Sequence, residues 1–379
     1  MPPHRSDERG RRQVTRWPTR FERRGVGCGG PSARRRPRAG PPGGSCYSPA
    51  VPTTPRSTHA QAAPEARSNA TWTSLQRAKN DALWLLASTA MGAVRPMPLP
   101  VLRALGRALG VAAHALCTAA RRTALANVAM VFPQLDPAQR RAFVRRCFST
   151  LGELLGETVA LFHRRSAPTP LPVCREALEL LGQARRQGRG VVFASAHLGP
   201  WERVAASLVA SGVPLVTVAR ESYDPRFSRW YDKLRTAHGV RVVWRSSPGA
   251  AAGVLRVLRA GGVLGLPMDL RTRAPSCEAP FLGHRAPTPV GPARLALRTG
   301  ALVVVGTAAP STGADGGARV TATRIVTHDL PRAGDDLASA AVELTARINA
   351  ELSRRILDLP HAWPWMHERW DPSKRSMMA

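Results

Sequence analysis

A histidine and a glutamate five positions apart, His197 and Glu202, are the residues of this chain best placed to move a proton. The Gly199-Pro200 pair between them favours a tight turn, which would bring the two side chains together. A carboxylate that touches one imidazole nitrogen fixes the tautomer and raises the basicity of the other nitrogen. His197 is therefore a candidate general base toward a hydroxyl, a role that contributes about 10²–10⁴ in rate. The same pattern also fits a helix-capping glutamate beside an unrelated histidine.

The sequence around this pair alternates between strand and helix. An apolar run at Val191–Ser195 predicts a strand that ends just before His197, and residues 201–211 predict a helix that begins within the motif. Further strands are predicted at residues 214–219, 240–244, 262–267, 301–307 and 320–326, and helices at 225–238, 249–259, 291–299 and 335–359. This alternation predicts an α/β fold with a mixed, largely parallel central sheet flanked by helices. Ligands bind such sheets at the carboxyl ends of the strands.

The residues before this region read as helices. Residues 75–94 and 99–120 are rich in Ala and Leu and bordered by arginines, and a third helix is predicted from Asp136, as N-cap, to about His163. Apolar helices with arginine borders suit the headgroup region of an anionic membrane, and they also suit the core of a soluble domain. No uncharged apolar run reaches the 18 residues of a standard span. The predicted organisation is a tail over 1–70, a membrane-associating helical region over 71–165 and an α/β core over 166–379.

The charge of the chain is strongly basic and unevenly spread. The 379 residues carry 55 Lys and Arg against 25 Asp and Glu, a net charge of +30, and about +10 of it lies in residues 1–70. That segment is dense in Pro, Gly and Ser and lacks periodicity, so it is predicted to be disordered, or to lie upstream of the true start. The excess of base favours an anionic partner, which leaves nucleic acid, membrane and acidic substrates open. Six scattered cysteines without CxxC spacing argue against a disulfide framework or a metal site, so neither a metal nor a cofactor is expected.

Several motifs in a fixed order resemble the lysophospholipid acyltransferase superfamily, and more closely its bacterial lipid A biosynthesis acyltransferases of the lauroyl and myristoyl type. His197, Gly199, Trp201 and Glu202 match the family's H-x-G-x-W-E. The other matching blocks, within about residues 75–370, are Asn127 to Pro133, Gly152 with Glu157, Arg220, Asp269, Phe281-Leu282-Gly283, Thr288, and Trp363 to Trp370. Asp269 is followed by Leu270, where the family usually has glutamine, and this is a departure.

The resemblance implies a mechanism and a set of site residues. His197, oriented by Glu202, would deprotonate a hydroxyl of a glycolipid such as a lipid A precursor, and that oxygen would attack the thioester of acyl-acyl carrier protein or acyl-CoA. Gly199, Trp201, Arg220, Asp269, Phe281, Gly283 and Thr288 would bind substrate. Arg220 would hold a phosphate or the developing oxyanion. The protein would work at the cytoplasmic face of the bacterial inner membrane, against anionic lipid.

Other interpretations remain open at the level of sequence. The same His-Glu chemistry would serve another acceptor, such as a phosphatidylinositol mannoside, an ornithine lipid, a polyene or a lysophospholipid. The positive charge would also suit a nucleic-acid-binding protein, but no helix-turn-helix, zinc-finger or RNA-binding signature accompanies it, so no nucleic acid is expected. A non-catalytic member of the family is disfavoured by the intact His197–Glu202 pair.

Overall fold

The computed structural model describes residues 72–162, 168–310, 317–331 and 336–370. The tail predicted over residues 1–70 lies outside these ranges. His163 and Asp335, near which two helices are predicted to end and to begin, also lie outside them.

The N-terminal part of the described chain is helical, as predicted. It forms α1 (Ser74–Val94), α2 (Leu99–Leu116), α3 (Thr118–Val131) and α4 (Pro137–Ala160). Thr73 and Asp136 are the N-caps of α1 and α4. In both, the cap side chain accepts a backbone N–H from the first turn, and a glutamine three positions on bonds back to the cap. The start of α4 at Asp136 and Pro137 confirms the prediction from the sequence.

The helix predicted over residues 99–120 is two helices. At Cys117 the backbone leaves the helical region, with φ −86° and ψ 72°. Arg121 then donates hydrogen bonds of 2.7 Å and 3.1 Å to the carbonyls of His114 and Ala115. The guanidinium satisfies carbonyls that have no partner at the end of α2, so the break is stabilised locally.

Glycines bring α2 and α4 into direct backbone contact. A Cβ added to Gly106 would lie 2.1 Å from the carbonyl oxygen of Gly152, and one added to Gly110 would lie 2.2 Å from that of Phe148. A Cβ added to Gly156 would meet the carbonyl oxygen of Leu102 at 2.2 Å. Only residues without a side chain permit this approach, so these glycines determine how α2 sits on α4.

The remainder of the described chain is an α/β structure. Its strands are β1 (Val191–Ser195), β2 (Leu215–Ala219), β3 (Arg241–Trp244), β4 (Val263–Pro267), β5 (Ser276–Phe281), β6 (His284–Pro289), β7 (Leu302–Pro310) and β8 (Ala318–Ile325). Its helices are α5 (Arg175–Arg186), α6 (Trp201–Ala210), α7 (Pro225–Ala237), α8 (Ala250–Arg259), α9 (Gly291–Thr299) and α10 (Leu337–Asp358). Six strands form the central sheet in the order β3-β2-β4-β1-β7-β8. The first five are mutually parallel and β8 is antiparallel to β7, which confirms the mixed, largely parallel sheet.

Both faces of the central sheet are buried. Side chains alternate along each strand, so successive residues enter the cores on opposite faces. Val191 and Phe193 of β1 face a core that includes residues of α5 and α6. Val192 and Ala194 face the larger core, which includes residues of α3, α4, α8, α9 and α10 and the C-terminal tryptophans. The helices α3 and α4 therefore share a core with the sheet.

A hairpin that the sequence analysis did not predict stands apart from the central sheet. Strands β5 and β6 pair antiparallel, with Phe281 opposite His284. Leu282 and Gly283 form the turn with φ of +49° and +84°. Two positive φ values suit the twist of a two-residue hairpin. The prolines in both strands hide the strand pattern, because proline is depleted in strands.

Candidate active site

His197 lies at the carboxyl edge of the central sheet, two residues after β1 ends. Gly199 then turns the chain into α6 with a left-handed φ of +63°, which glycine adopts without strain. The Gly199 N–H donates a 3.1 Å hydrogen bond to the carbonyl of Ala362, which ties this turn to the C-terminal segment. The His197 side chain remains 29% exposed. The ring of Trp201 stands edge-on to it, with 5.4 Å between centroids. The imidazole is thus held in place but open to solvent on one side.

The carboxylate that contacts His197 belongs to Asp269. Strand β4 lies beside β1 with Pro267 opposite Ser195, so the residues two positions further on become neighbours. Asp269 Oδ1 lies 3.0 Å from His197 Nδ1, and Asp269 Oδ2 accepts the His197 backbone N–H at 2.9 Å. Trp363 Nε1 donates to the same Oδ2 at 2.9 Å. Asp269 is fully buried, and all three hydrogen bonds favour its charged form.

Each member of this pair shifts the pKa of the other. Burial alone would lower the pKa of His197, but the charge and hydrogen bond of Asp269, together with the charge of Glu202, outweigh burial and raise it. Burial opposes ionisation of Asp269, but His197 and the donated hydrogen bonds lower its pKa below the usual range. An ionised Asp269 keeps the proton on Nδ1 of His197. Nε2 is then left as the basic nitrogen.

Glu202 lies near His197 but pairs with a different residue. Its carboxylate accepts hydrogen bonds from Arg235 of α7, at 2.6 Å from Nη2 and 3.1 Å from Nε. Among the described residues, no hydrogen bond joins Glu202 to His197. The contact expected between these two side chains is made by Asp269 instead, because β4 supplies a residue directly beside His197. Glu202 acts on His197 through its charge, which contributes to the raised pKa.

The remaining residues expected to bind substrate occupy two kinds of place. Arg220 is exposed at the end of β2, on the same sheet edge as His197, and Gly283 is exposed in the hairpin turn. Phe281 and Thr288 are buried. The guanidinium of Arg369 lies 4.4 Å from the ring centre of Phe281 and donates to Thr288 Oγ1 at 2.7 Å. Phe281 also contacts Trp363, the residue that donates to Asp269, with 5.7 Å between ring centroids.

The C-terminal segment closes around the site. The sequence alone did not place His367 there. Asn127 Nδ2 donates to the carbonyls of Trp365 and His367 at 2.8 Å and 2.9 Å. His367 is half-buried, and its Nδ1 is buried without a hydrogen-bond partner. Burial lowers the pKa of His367. The charge of Asp269 opposes this shift, and the charges of Arg369 and His197 lower the pKa further. His367 is thus a second, neutral imidazole close to the pair. The signal available in the sequence is the block from Trp363 to Trp370, which contains His367.

The whole sequence, compared with known proteins, matches the bacterial lipid A biosynthesis acyltransferases over residues 73–371. The chain belongs to this family. It is 26% identical over 143 residues to the lipid A biosynthesis myristoyltransferase of Escherichia coli K12, and equally to the lipid A biosynthesis acyltransferase 1 of Shigella flexneri. These matches cover 38% of this chain and 43% of each relative, so the chain spans less than half the length of the curated relatives it matches. The ordered blocks noted in the sequence fall inside the family match.

Proposed function

We propose that this protein is an acyltransferase that moves a fatty acyl chain from a thioester to a hydroxyl of a lipid A-type glycolipid. The observation that carries the proposal is the buried carboxylate of Asp269 on Nδ1 of a partly exposed His197. This arrangement makes a histidine a general base. Membership of the lipid A acyltransferase family supports both the acyl transfer and the class of acceptor.

In the proposed reaction, His197 Nε2 takes the proton of the acceptor hydroxyl while the hydroxyl oxygen attacks the thioester carbonyl. Asp269 stabilises the imidazolium that forms and keeps its orientation. The tetrahedral intermediate collapses as the carbon–sulfur bond breaks, and the imidazolium returns its proton to the departing thiolate. The products are an ester and a free thiol. Written this way, the transfer needs no redox step and no cofactor.

Glu202 and Arg235 have a supporting role in this mechanism. Glu202 adds negative charge near His197, which favours the imidazolium. Arg235 holds Glu202 in place through two hydrogen bonds that a lysine could not reproduce. Glu202 is therefore proposed as an electrostatic partner of His197 and not as its direct orienting group.

The substrates would meet at the sheet edge beside His197. Arg220, exposed after β2, would hold an acceptor phosphate or the developing oxyanion, with Gly199 and Trp201 forming the adjoining wall. Phe281 and Thr288 would shape this region from behind, and Gly283 from the hairpin turn. The thioester donor would be acyl-acyl carrier protein or acyl-CoA. Both are anionic, as is the inner-membrane leaflet at whose cytoplasmic face the reaction would take place.

Acyl transfer by the purified full-length chain tests this proposal. With acyl-acyl carrier protein and a lipid A precursor as substrates, His197→Ala is expected to lower kcat by about 10²–10⁴. His328→Ala is the matched control, because His328 is exposed and remote from the pair in sequence. Activity near that of the wild type in a folded His197→Ala variant would overturn the mechanism. Mass spectrometry of the product, with lipid A precursor and lysophospholipid offered together, would show which acceptor is used.

A further inference from the structure

One side of α2 is apolar and uncovered. Its large exposed side chains are Val101, Leu105, Leu109 and Leu116, which are 41%, 46%, 57% and 79% exposed. At 100° per residue these four lie on one side of the helix, with exposed alanines at 104, 108, 112 and 115 between them. We call this set of eight the α2 stripe. A continuous apolar surface of this kind marks an interaction site.

The opposite side of α2 packs against α4. Gly106 and Gly110 touch the backbone of α4, as described above. Arg107 pairs with Glu153 at 2.9 Å, and Arg103 Nε donates to Glu157 at 2.9 Å. The far side of α4 is buried in the main core through Phe143, Val144 and Cys147. Moving α2 away would expose this backbone contact and leave the buried Glu157 without one of its arginines.

Glu157 also connects α2 to the helix that follows the catalytic histidine. Its other oxygen accepts a 3.3 Å hydrogen bond from Arg203 of α6, whose first turn carries Glu202. The ion pairs Arg103–Glu157–Arg203 therefore join α2, α4 and α6.

Among the described residues, α2 is the one helix long and apolar enough to cross a membrane by length and composition. We propose that it does not cross: α2 lies in the plane of an anionic phospholipid bilayer, with the α2 stripe in the boundary between headgroups and acyl chains. If α2 crossed, Arg103 and Arg107 would be carried into the hydrocarbon together with their partners Glu157 and Glu153 on α4, and charged groups are costly there. Exposed arginines flank α2 in the sequence, with Arg95 before it and Arg122 after it. Their positive charges match anionic headgroups. The inference rests on the proposed function in that the acceptor is a membrane lipid.

Depth measurements on the full-length chain test this arrangement directly. In a background without native cysteines, single variants V101C, L105C, L109C and L116C would carry an environment-sensitive fluorophore on phosphatidylethanolamine and phosphatidylglycerol vesicles. Lipid quenchers at known depths would then locate each label. A helix in the plane places all four labels within about 5 Å of one depth, whereas a spanning helix separates positions 101 and 116 by about 22 Å. Separated depths, or no quenching by lipid at any label, would overturn the proposal.

Charge substitutions give a second test that does not depend on labels. The double variant L105E/L109E alters exposed positions only, and L357E on α10 is its control, because Leu357 is 41% exposed. We expect L105E/L109E to lower vesicle binding in a flotation assay by about tenfold or more, and L357E to leave it unchanged. Equal binding by the two variants would overturn the proposal.

Activity assays separate this inference from the proposed function. If both hold, L105E/L109E loses activity on acceptor in vesicles but keeps it on acceptor dispersed in detergent. Loss of vesicle binding without any acyl transfer by the wild type would support the membrane surface and overturn the enzymatic proposal. Acyl transfer by the wild type, together with unchanged vesicle binding by L105E/L109E, would support the enzymatic proposal and overturn the membrane surface.

Discussion

At the scale of residues, the main finding is that two carboxylates near His197 do different work. Asp269 contacts the imidazole and is fully buried, whereas Glu202 is bound to Arg235 and acts through its charge. A motif that places histidine and glutamate five positions apart suggests a contact between them. The neighbouring strand provides that contact from 72 positions further along the chain.

The pH dependence of the reaction should report on Asp269. A general base must be neutral, so the rate falls as pH drops through the pKa of His197. Burial lowers that pKa, and Asp269 raises it. In Asp269→Asn the negative charge of Asp269 is lost, and only the charge of Glu202 is left to oppose the effect of burial. We expect the acid limb of the kcat/KM profile to move to lower pH, and kcat to fall by about 10² or more. Trp363→Phe, which removes a donor but keeps the Asp269 charge, should leave the limb nearly in place. An unmoved limb in Asp269→Asn would contradict the assignment.

The Glu202–Arg235 pair should matter for stability as well as for activity. The Glu202 side chain is 6% exposed and that of Arg235 is 19% exposed, so removing the arginine leaves the more deeply buried charge unpaired. We expect Arg235→Ala to lower the free energy of unfolding by about 3 kcal/mol and Glu202→Gln by about 2 kcal/mol.

Urea unfolding would measure both changes. The control is Arg175→Ala, because the Arg175–Glu179 pair is 87% and 61% exposed and should contribute less than about 1 kcal/mol. Equal effects of all three substitutions would show that burial of the ion pair does not govern its contribution.

At the scale of elements, the contact between α2 and α4 depends on glycine. In Gly152→Ala the new Cβ would lie 2.1 Å from the Gly106 carbonyl oxygen, a backbone atom that cannot move without shifting the helix. We expect a loss of about 2–3 kcal/mol in the free energy of unfolding, as for other overpacked contacts. Gly92→Ala in α1 is the control, since nothing lies within 4 Å of its Cβ, and it should be neutral or stabilising by about 0.5–1 kcal/mol. A neutral Gly152→Ala would show that the helices are not in close contact.

At the scale of the whole molecule, the net charge of +30 has a use in the proposed function. A basic surface attracts an anionic donor over long range, and salt screens this attraction. We expect KM for acyl-acyl carrier protein to rise several-fold between 50 mM and 300 mM salt, with kcat little changed. A chain that begins at residue 71 should keep the same kcat, because the family match begins at residue 73. A large loss of kcat on truncation would assign a catalytic part to residues 1–70.

Much of the fold could be predicted because its signals are local. Apolar runs, N-caps and the alternation of strand and helix predicted the parallel sheet and placed His197 and Asp269 at strand ends. The hairpin at Leu282-Gly283 was missed because its strands are rich in proline. The end of α2 at Cys117 was missed because Arg121 stabilises the break through side-chain hydrogen bonds that no periodicity records.

The sequence by itself singled out His197, the family and the sheet edge on which the site lies, since short local motifs in a fixed order carry these signals. Only the tertiary structure decided which carboxylate touches His197, what Glu202 pairs with, and that His367 and Trp363 close the site. Those contacts join residues that are 33 to 240 positions apart in the hydrogen bonds that define them. Strand order and helix packing create such contacts, and no spacing within a motif encodes them.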